Sequence, residues 1–413
     1  MNQTRRDFLK ITGTAGSMIS LGATIPGFLT RTAAAAQPAT RPGAKDTILV
    51  VVELTGGNDG LNTVVPFADP EYGKLRTTLR LPTAQLKKIN DSIALHPSMG
   101  GLAKLMEDHA LCVVQGVGYP NPSQSHFRSM DIWQAGSTAS ALTEGWLGNA
   151  MKKLPTASAF HIGDSNQTAP LAVTGAPTRV PTLASLEDFQ LRTGAASRGD
   201  RIEQRAIIEA AARSPGARPG LLDFVQRTAA NTYASSKRLR EIGSGYQPKV
   251  PYPATGLGKH LQLAAQLIDA DLGARIFYVA LGNFDTHANQ LASHAQLLGE
   301  LSDAVAAFYK DLAARGQKDR ILLMTFSEFG RRAAENASRG TDHGSAAPMF
   351  LVGGKVKPGA VGQHPSLAKL EFGNLKHQVD FRQVYAAILD RWLGVPSKDV
   401  LGKAFEPAAI FST

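Results

Sequence analysis

A single cysteine, Cys112, leaves the 413-residue chain without any means of forming an internal disulfide. Cys112 sits in the apolar run Ala110–Val114, where a thiol reads as a small buried strand residue rather than a nucleophile. Dense basic tracts with interleaved aromatics are also missing, although 44 Lys and Arg stand against 34 Asp and Glu for a net charge of +10. That spread argues against nucleic acid as a partner and leaves only a mild preference for anionic ligands or surfaces. Beyond residue 45 there is no low-complexity linker, no short repeat and no apolar run of membrane-spanning length. The mature form is therefore expected not to span a membrane. No Gly-x-Ser-x-Gly elbow surrounds Ser125, which lowers the reading of a metal-independent Ser-His-Asp esterase built on Ser125 and His343.

What is present begins with an address. Residues 4–10 read Thr-Arg-Arg-Asp-Phe-Leu-Lys, followed by an uncharged run from Ile11 to Thr30 and the small-residue stretch Ala33–Ala36. A basic start, an apolar middle and a small-residue cleavage site make a secretory signal, and the paired Arg5 and Arg6 assign it to twin-arginine export. Gly13, Gly16, Gly22, Pro26 and Gly27 interrupt the run and unsuit it to a buried helix or a membrane span. Residues 1–36 are read as a signal handed to the twin-arginine translocase, 37–45 as a flexible mature N-terminus, and 46–413 as one domain. The protein is expected in the periplasm or outside the cell.

The mature sequence alternates strand and helix patterns. Ile48–Leu54 is a continuous apolar run rich in β-branched residues, as a strand buried on both faces requires. Further strands are expected at Ala110–Gln115, Ala159–Gly163, Arg275–Leu281, Ile321–Phe326 and Met349–Val352. Between two of them, His294–Arg315 carries Leu297, Leu298, Leu301, Val305, Phe308 and Leu312 at helical spacing. Asp380–Leu393 is a second amphipathic helix. A charged, strand-poor segment at about 185–255 reads as a helical insertion. The fold class this predicts is α/β: a doubly wound, mostly parallel sheet with helices on both faces, whose ligands bind at the carboxyl ends of the strands.

The polar residues that follow the apolar runs fit that rule. Asn58-Asp59 follows the first strand, and Ser125-His126-Phe127-Arg128 lies beyond a Gly/Pro/Asn loop after the second. Asp285 and His287 follow the strand at 275–281, and Glu328 and Arg331 follow the strand at 321–326, with Asp342-His343 further on. Asp285 and His287 stand two apart, so in extended chain both point one way; a carboxylate and an imidazole together suit a divalent cation. His294, seven residues on, is either a ligand or a surface residue. Ser125 precedes a helical run, so it is either an N-cap or a nucleophile at a helix N-terminus, where free N–H groups meet anions. Arg331 is either solvent-facing or an oxyanion-binding fork.

These stretches, Leu54–Asn62, Ser125–Arg128, Phe284–His287, Ser327–Arg331 and Thr341–Gly344, resemble in their order the exported domain-of-unknown-function 1501 family. The resemblance covers about 46–400. That family is similar to the alkaline phosphatase and sulfatase superfamily, which implies an alkaline-phosphatase-like core with divalent metal at the strand ends: zinc, manganese or calcium. Carried over, the resemblance implies metal ligands at Asp59, Asp285, His287, His294, Glu328, Asp342 and His343. It implies Ser125 as nucleophile with His126 beside it, and Arg128 or Arg331 on the equatorial oxygens. The spacing departs from the superfamily's pattern at Asp285 and His287, which one residue separates rather than three. The implied function is hydrolysis of a small or polymeric anionic phosphate or sulfate ester; the alternative is a non-catalytic envelope binding protein on the same scaffold.

Overall fold

All seven side chains of β1, Ile48–Leu54, are buried, which requires cover on both faces of the strand. They alternate between two separate apolar clusters. Ile48, Val50, Val52 and Leu54 enter one, and Leu49 and Val51 the other. β1 thus lies in the middle layer of three. The computed structural model describes residues 47–154, 158–164, 167–186 and 245–412. The expected signal at 1–36, the segment 37–45 and residues 187–244 of the expected insertion at 185–255 lie outside the described residues.

The main sheet adds β2 (Leu111–Gly118), β3 (Ser158–Ile162), β4 (Thr182–Leu183), β5 (Ala274–Leu281), β6 (Ile321–Ser327), β7 (Ala347–Gly353), β8 (Gly359–Val361) and β9 (Val379–Asp380). Their order is β8-β2-β7-β6-β1-β5-β3-β4, with β9 also paired to β2. β1 runs parallel to β5 and β6, with Leu54 level with Leu281 and with Ser327. β3 runs parallel to β5 and β4. The sheet is mostly parallel, as the alternating pattern predicts, and every strand read from the sequence is found. Cys112 is buried in β2, and burial pushes its thiol up to about 12.

One strand runs against the rest. β7 is antiparallel to both of its neighbours, β2 and β6. The chain leaves β6 at the carboxyl rim of the parallel strands and enters β7 at that same rim, so residues 328–346 stay there. The two arms of this connection pair. The Gly330 N–H donates to Ser345 O at 2.8 Å, the Arg332 N–H donates to Asp342 O at 3.0 Å, and Arg331 bridges His343. Two motifs that are separate in sequence become neighbouring strands of one ribbon.

Helices cover both faces. α1 (Pro70–Leu75) packs through Tyr72 in a third, smaller cluster with Leu61 and Val65, and α2 (Gly100–Glu107), α5 (Gly256–Asp269) and α6 (Gln290–Ala314) pack in the cluster of Val50 and Val52. α3 (His126–Ala135), α4 (Trp146–Lys152) and α7 (Phe381–Ala387) pack in that of Leu49 and Val51. α6 begins four residues before the expected His294, because Asn289 in the left-handed conformation (φ 45°) turns the chain and the Gln290 N–H donates to Arg339 O at 2.9 Å. α7 is capped by Asp380 and continues as a π-helical turn over Ile388–Leu393. Among the described residues no helix is long and apolar enough to cross a membrane.

Candidate metal centre at the carboxyl rim

Three loops meet beyond β1, β5 and β6. Their backbones touch where only glycine fits: a Cβ on Gly56 (φ 114°) would lie 2.5 Å from Asp285 N, and one on Gly340 2.2 Å from His287 C. The β5 loop then presents Asp285 and His287 to one side, with His287 Nε2 3.0 Å from Asp285 Oδ1. The β6–β7 ribbon brings His343, whose Nε2 lies 3.3 Å from Asp285 Oδ1 and 3.0 Å from His287 Nε2. The first turn of α3 brings His126, with Nε2 3.5 Å from Asp285 Oδ2. Donor atoms of His126, Asp285 and His343 all lie within 4.8 Å of one another, as a shared cation requires.

The second nitrogen of each ring fixes what the first can do. His126 Nδ1 faces Glu328 Oε1 at 2.8 Å, His287 Nδ1 faces Asp342 Oδ1 at 3.3 Å, and His343 Nδ1 faces the Gln124 carbonyl at 2.8 Å. All three partners are oxygens that can only accept, so a neutral ring with its proton on Nδ1 leaves an Nε2 lone pair facing Asp285. His126 Nε2 is a buried atom with no hydrogen-bond partner. Phe329 packs against the rings of both His126 and His343, with centroids 4.9 Å away in each case. In that tautomer three Nε2 lone pairs face the Asp285 carboxylate, which accepts from Arg331 Nη2, and a divalent cation would relieve the repulsion among them. The donor set therefore fits a metal, which His126, Asp285 and His343 would hold with His287 beside them.

Glu328 and Asp342, expected as ligands, are placed one step back, as acceptors for His126 and His287. Glu328 is buried, accepting also from the Gly56 N–H at 2.8 Å and from Ser327 Oγ at 3.1 Å. Replacing Glu328 by Ala is expected to weaken metal binding by about 10–100-fold by freeing the His126 ring, with Gln partly restoring it. A competition titration against a chromogenic chelator reads this directly. Burial alone would raise the Asp285 carboxyl, but its hydrogen bond to Arg331 and the nearby charges hold it below the ordinary carboxylate value.

Arg331 does not act as an oxyanion fork. Its guanidinium is buried, with Nε on Gly57 O at 2.6 Å and Nη1 on Thr341 O at 2.7 Å. Nη2 serves Gly56 O, Phe284 O at 3.1 Å and Asp285 Oδ1 at 2.5 Å. Its donors are spent on the three loops, so it fastens Asp285 in place. Arg128 is turned away to the carbonyls of Ala139 and Ser140. Ser125 is the N-cap of α3, exposed, with no side-chain bond to the helix. Among the described residues no imidazole is hydrogen-bonded to its hydroxyl, and His343 is committed to Gln124 and Asp285, which removes the Ser125–His343 esterase.

Asp59 and His294 are not brought into the group. Asp59 is fully buried, its oxygens bound by Arg76 Nη1 at 2.5 Å, Arg76 Nη2 at 2.9 Å and Gln290 Nε2 at 2.5 Å. Burial would raise its carboxyl, yet Arg76 brings it down to about 2. His294 is buried with Nε2 2.9 Å from Asn58 Oδ1, and desolvation pushes it down to about 4. Both lie in a polar layer that supports the loops. Arg76 continues to Ala333 O at 2.7 Å and Arg332 O at 3.0 Å, and Gln290 accepts from Thr341 Oγ1 at 2.6 Å and Thr286 Oγ1 at 3.0 Å. Sequence reading missed Arg76, Gln290 and the Gln124 carbonyl. No local pattern marks the first two, and a backbone oxygen has none.

A family model described as "Protein of unknown function (DUF1501)" matches residues 46–402. No curated protein matches the sequence. Among solved structures, a protein in the alkaline phosphatase superfamily from Vibrio parahaemolyticus is 9% identical with a TM-score of 0.40, covering 91% of this chain and 77% of that one. A sulfatase from Pseudoalteromonas sp. is 12% identical with a TM-score of 0.39, covering 94% of this chain and 78% of that one. An alkaline phosphatase from the Antarctic bacterium TAB5 is 12% identical with a TM-score of 0.30, covering 75% of this chain and 92% of that one. Similarity at this level transfers neither a reaction nor a metal.

Proposed function

The chain belongs to the family described as protein of unknown function DUF1501, and from that premise we propose that it is an exported, metal-dependent hydrolase of phosphate or sulfate esters. The observation that carries the reading is the convergence of three Nδ1-anchored imidazoles on Asp285. The donor set of nitrogens and one carboxylate suits zinc best, ahead of manganese, and is poor for calcium, which takes oxygen ligands. A bound cation would supply Lewis acidity, polarising the ester and lowering the pKa of a neighbouring hydroxyl.

The chain's own residues divide the remaining work. Ser125, between Gln124 and His126, offers the attacking oxygen. The uncapped N–H groups opening α3 face the anion's oxygens, a role a ten-residue helix performs at its N-terminus. Asp285, His287 and His343 are part-exposed, their side chains 46, 44 and 24% accessible, so an ester can reach them. The paired Arg5 and Arg6 support twin-arginine export to the periplasm or beyond.

A non-catalytic binding protein is the second reading, favoured by the lack of a base on Ser125 Oγ among the described residues. One experiment separates the two. The mature protein, folded with zinc or manganese and freed of excess metal, is expected to retain about one equivalent per chain. It is also expected to turn over 4-nitrophenyl phosphate or sulfate, and Ser125→Ala to abolish turnover while keeping the metal. Metal retained without turnover of either ester selects the binding protein; no retained metal removes the hydrolase.

A further inference from the structure

We propose that the groove beside the metal group binds a sugar ring carrying an anionic substituent, with Phe372 as its stacking face. This rests on the ester reading and specifies its substrate. The groove encloses about 470 Å³, lined among others by Gln124, Arg332, Glu371, Phe372, Asn374 and Lys376. That volume lies within the usual range of ligand pockets, roughly 300–1,000 Å³. Groove and metal group share a wall: Gln124 holds His343 through its carbonyl, and Arg332 follows Arg331 on the ribbon.

Phe372 is the telling residue. Glu371 and Asn374 exchange two N–H···O bonds of 2.9 Å, so Phe372-Gly373 is a two-residue hairpin turn. Both residues have positive φ, 52° and 81°. This mirror-image turn favours Asn-Gly, and a bulky side chain in its first position is strained. Phe372 packs into no core; it is 90% exposed. The turn is nonetheless fixed, since the Ala333 N–H donates to Gly373 O at 3.1 Å. A strained, anchored, exposed aromatic at the lip of a cavity is a ligand contact rather than a packing residue.

The rest of the lining selects the ligand. An aromatic face takes the C–H face of a pyranose. The carboxamides of Gln124 and Asn374 and the Glu371 carboxylate offer donors and acceptors for ring hydroxyls. Arg332 and Lys376 are exposed cations suited to a sulfate or phosphate substituent. The concave, polar shape distinguishes this from a flat membrane-binding tip.

The test is calorimetric titration of the mature, zinc-loaded protein with glucose 6-sulfate and glucose 6-phosphate. At least one ester is expected to bind, and Phe372→Asn to weaken it by about tenfold. The same change places the preferred Asn-Gly in the turn, so the thermal midpoint is expected to hold or rise, which separates lost binding from lost fold. Lys376→Ala is expected to weaken the esters but not free glucose. Unchanged ester affinity in the Phe372 variant overturns the inference, as does absence of binding up to ~10 mM or Phe372-dependent capture by phosphatidylglycerol vesicles. Turnover of 4-nitrophenyl esters, which lack a sugar, is read on the unaltered protein. Its absence alongside sugar-ester binding overturns the hydrolase and leaves the groove standing.

Discussion

Asp285→Asn is expected to empty the centre without unfolding the protein. Asn keeps an oxygen for the Arg331 Nη2 donor that now sits 2.5 Å from Asp285 Oδ1, but it removes the one negative charge among the converging donor atoms. The side chain is 46% accessible, so packing changes little. Metal content should fall from about one equivalent to a small fraction, and ester turnover by at least ~10³-fold, about 4 kcal/mol in the barrier. Elemental analysis of the folded variant and its turnover of 4-nitrophenyl esters measure both. Full metal content in the variant would show that the imidazoles do not gather around Asp285 to hold a cation.

Arg76→Met is expected to be the most destabilising single change near the site. Arg76 is fully buried against the fully buried Asp59. It also joins the loop after β1 to the carbonyls of Arg332 and Ala333 on the β6–β7 ribbon. Removing it strands a buried carboxylate, at a cost of about 3–5 kcal/mol. Urea unfolding at neutral pH measures the loss, and a loss under ~1 kcal/mol would contradict it. The pH dependence gives an independent check. Asp59 is depressed from 3.8 to about 2 in the folded protein. Its stabilisation is therefore complete above the unfolded value and disappears as pH falls through about 2. In the variant, burial without a partner raises the carboxyl instead. The difference between the two proteins should be largest near neutral pH, shrink as pH falls through the variant's raised value, and be lost as pH falls through about 2. Adding Asp59→Asn to Arg76→Met should recover much of the loss, since no buried charge then remains unpaired.

Asp285 and Asp59 also mark how far sequence reasoning reaches. Both follow apolar strand runs and the family resemblance makes both metal ligands, yet one lies among the imidazoles and the other is neutralised by Arg76. The difference is made by a residue 17 positions away from Asp59 in the chain. Likewise, His294 looked equivalent to His287 as an imidazole near the end of β5. The helix begins at Gln290 rather than at His294, which carries His294 into the buried layer beside Asn58.

Glu328 and Asp342 were legible as part of the site but not in their roles. A carboxylate's residue type is the same whether it touches a cation or the far nitrogen of an imidazole that does. Arg331 was legible as a cation at the rim, and only its bonds to four backbone carbonyls and the Asp285 carboxylate show it to be a fastener. Phe372 gave no signal at all, because a Phe-Gly pair is an ordinary turn until its φ angles and exposure are known.

The sequence by itself determined the strands, the main helices and the rim at which chemistry gathers. Each of these is set by short-range patterns of apolar side chains that must be buried on one face or two. Tertiary structure decided which polar groups meet. That depends on the reversed direction of β7, on glycine contacts that let three loops touch, and on a buried arginine that competes with any cation for Asp59. Such choices are made between residues tens to hundreds of positions apart, where no local periodicity records them.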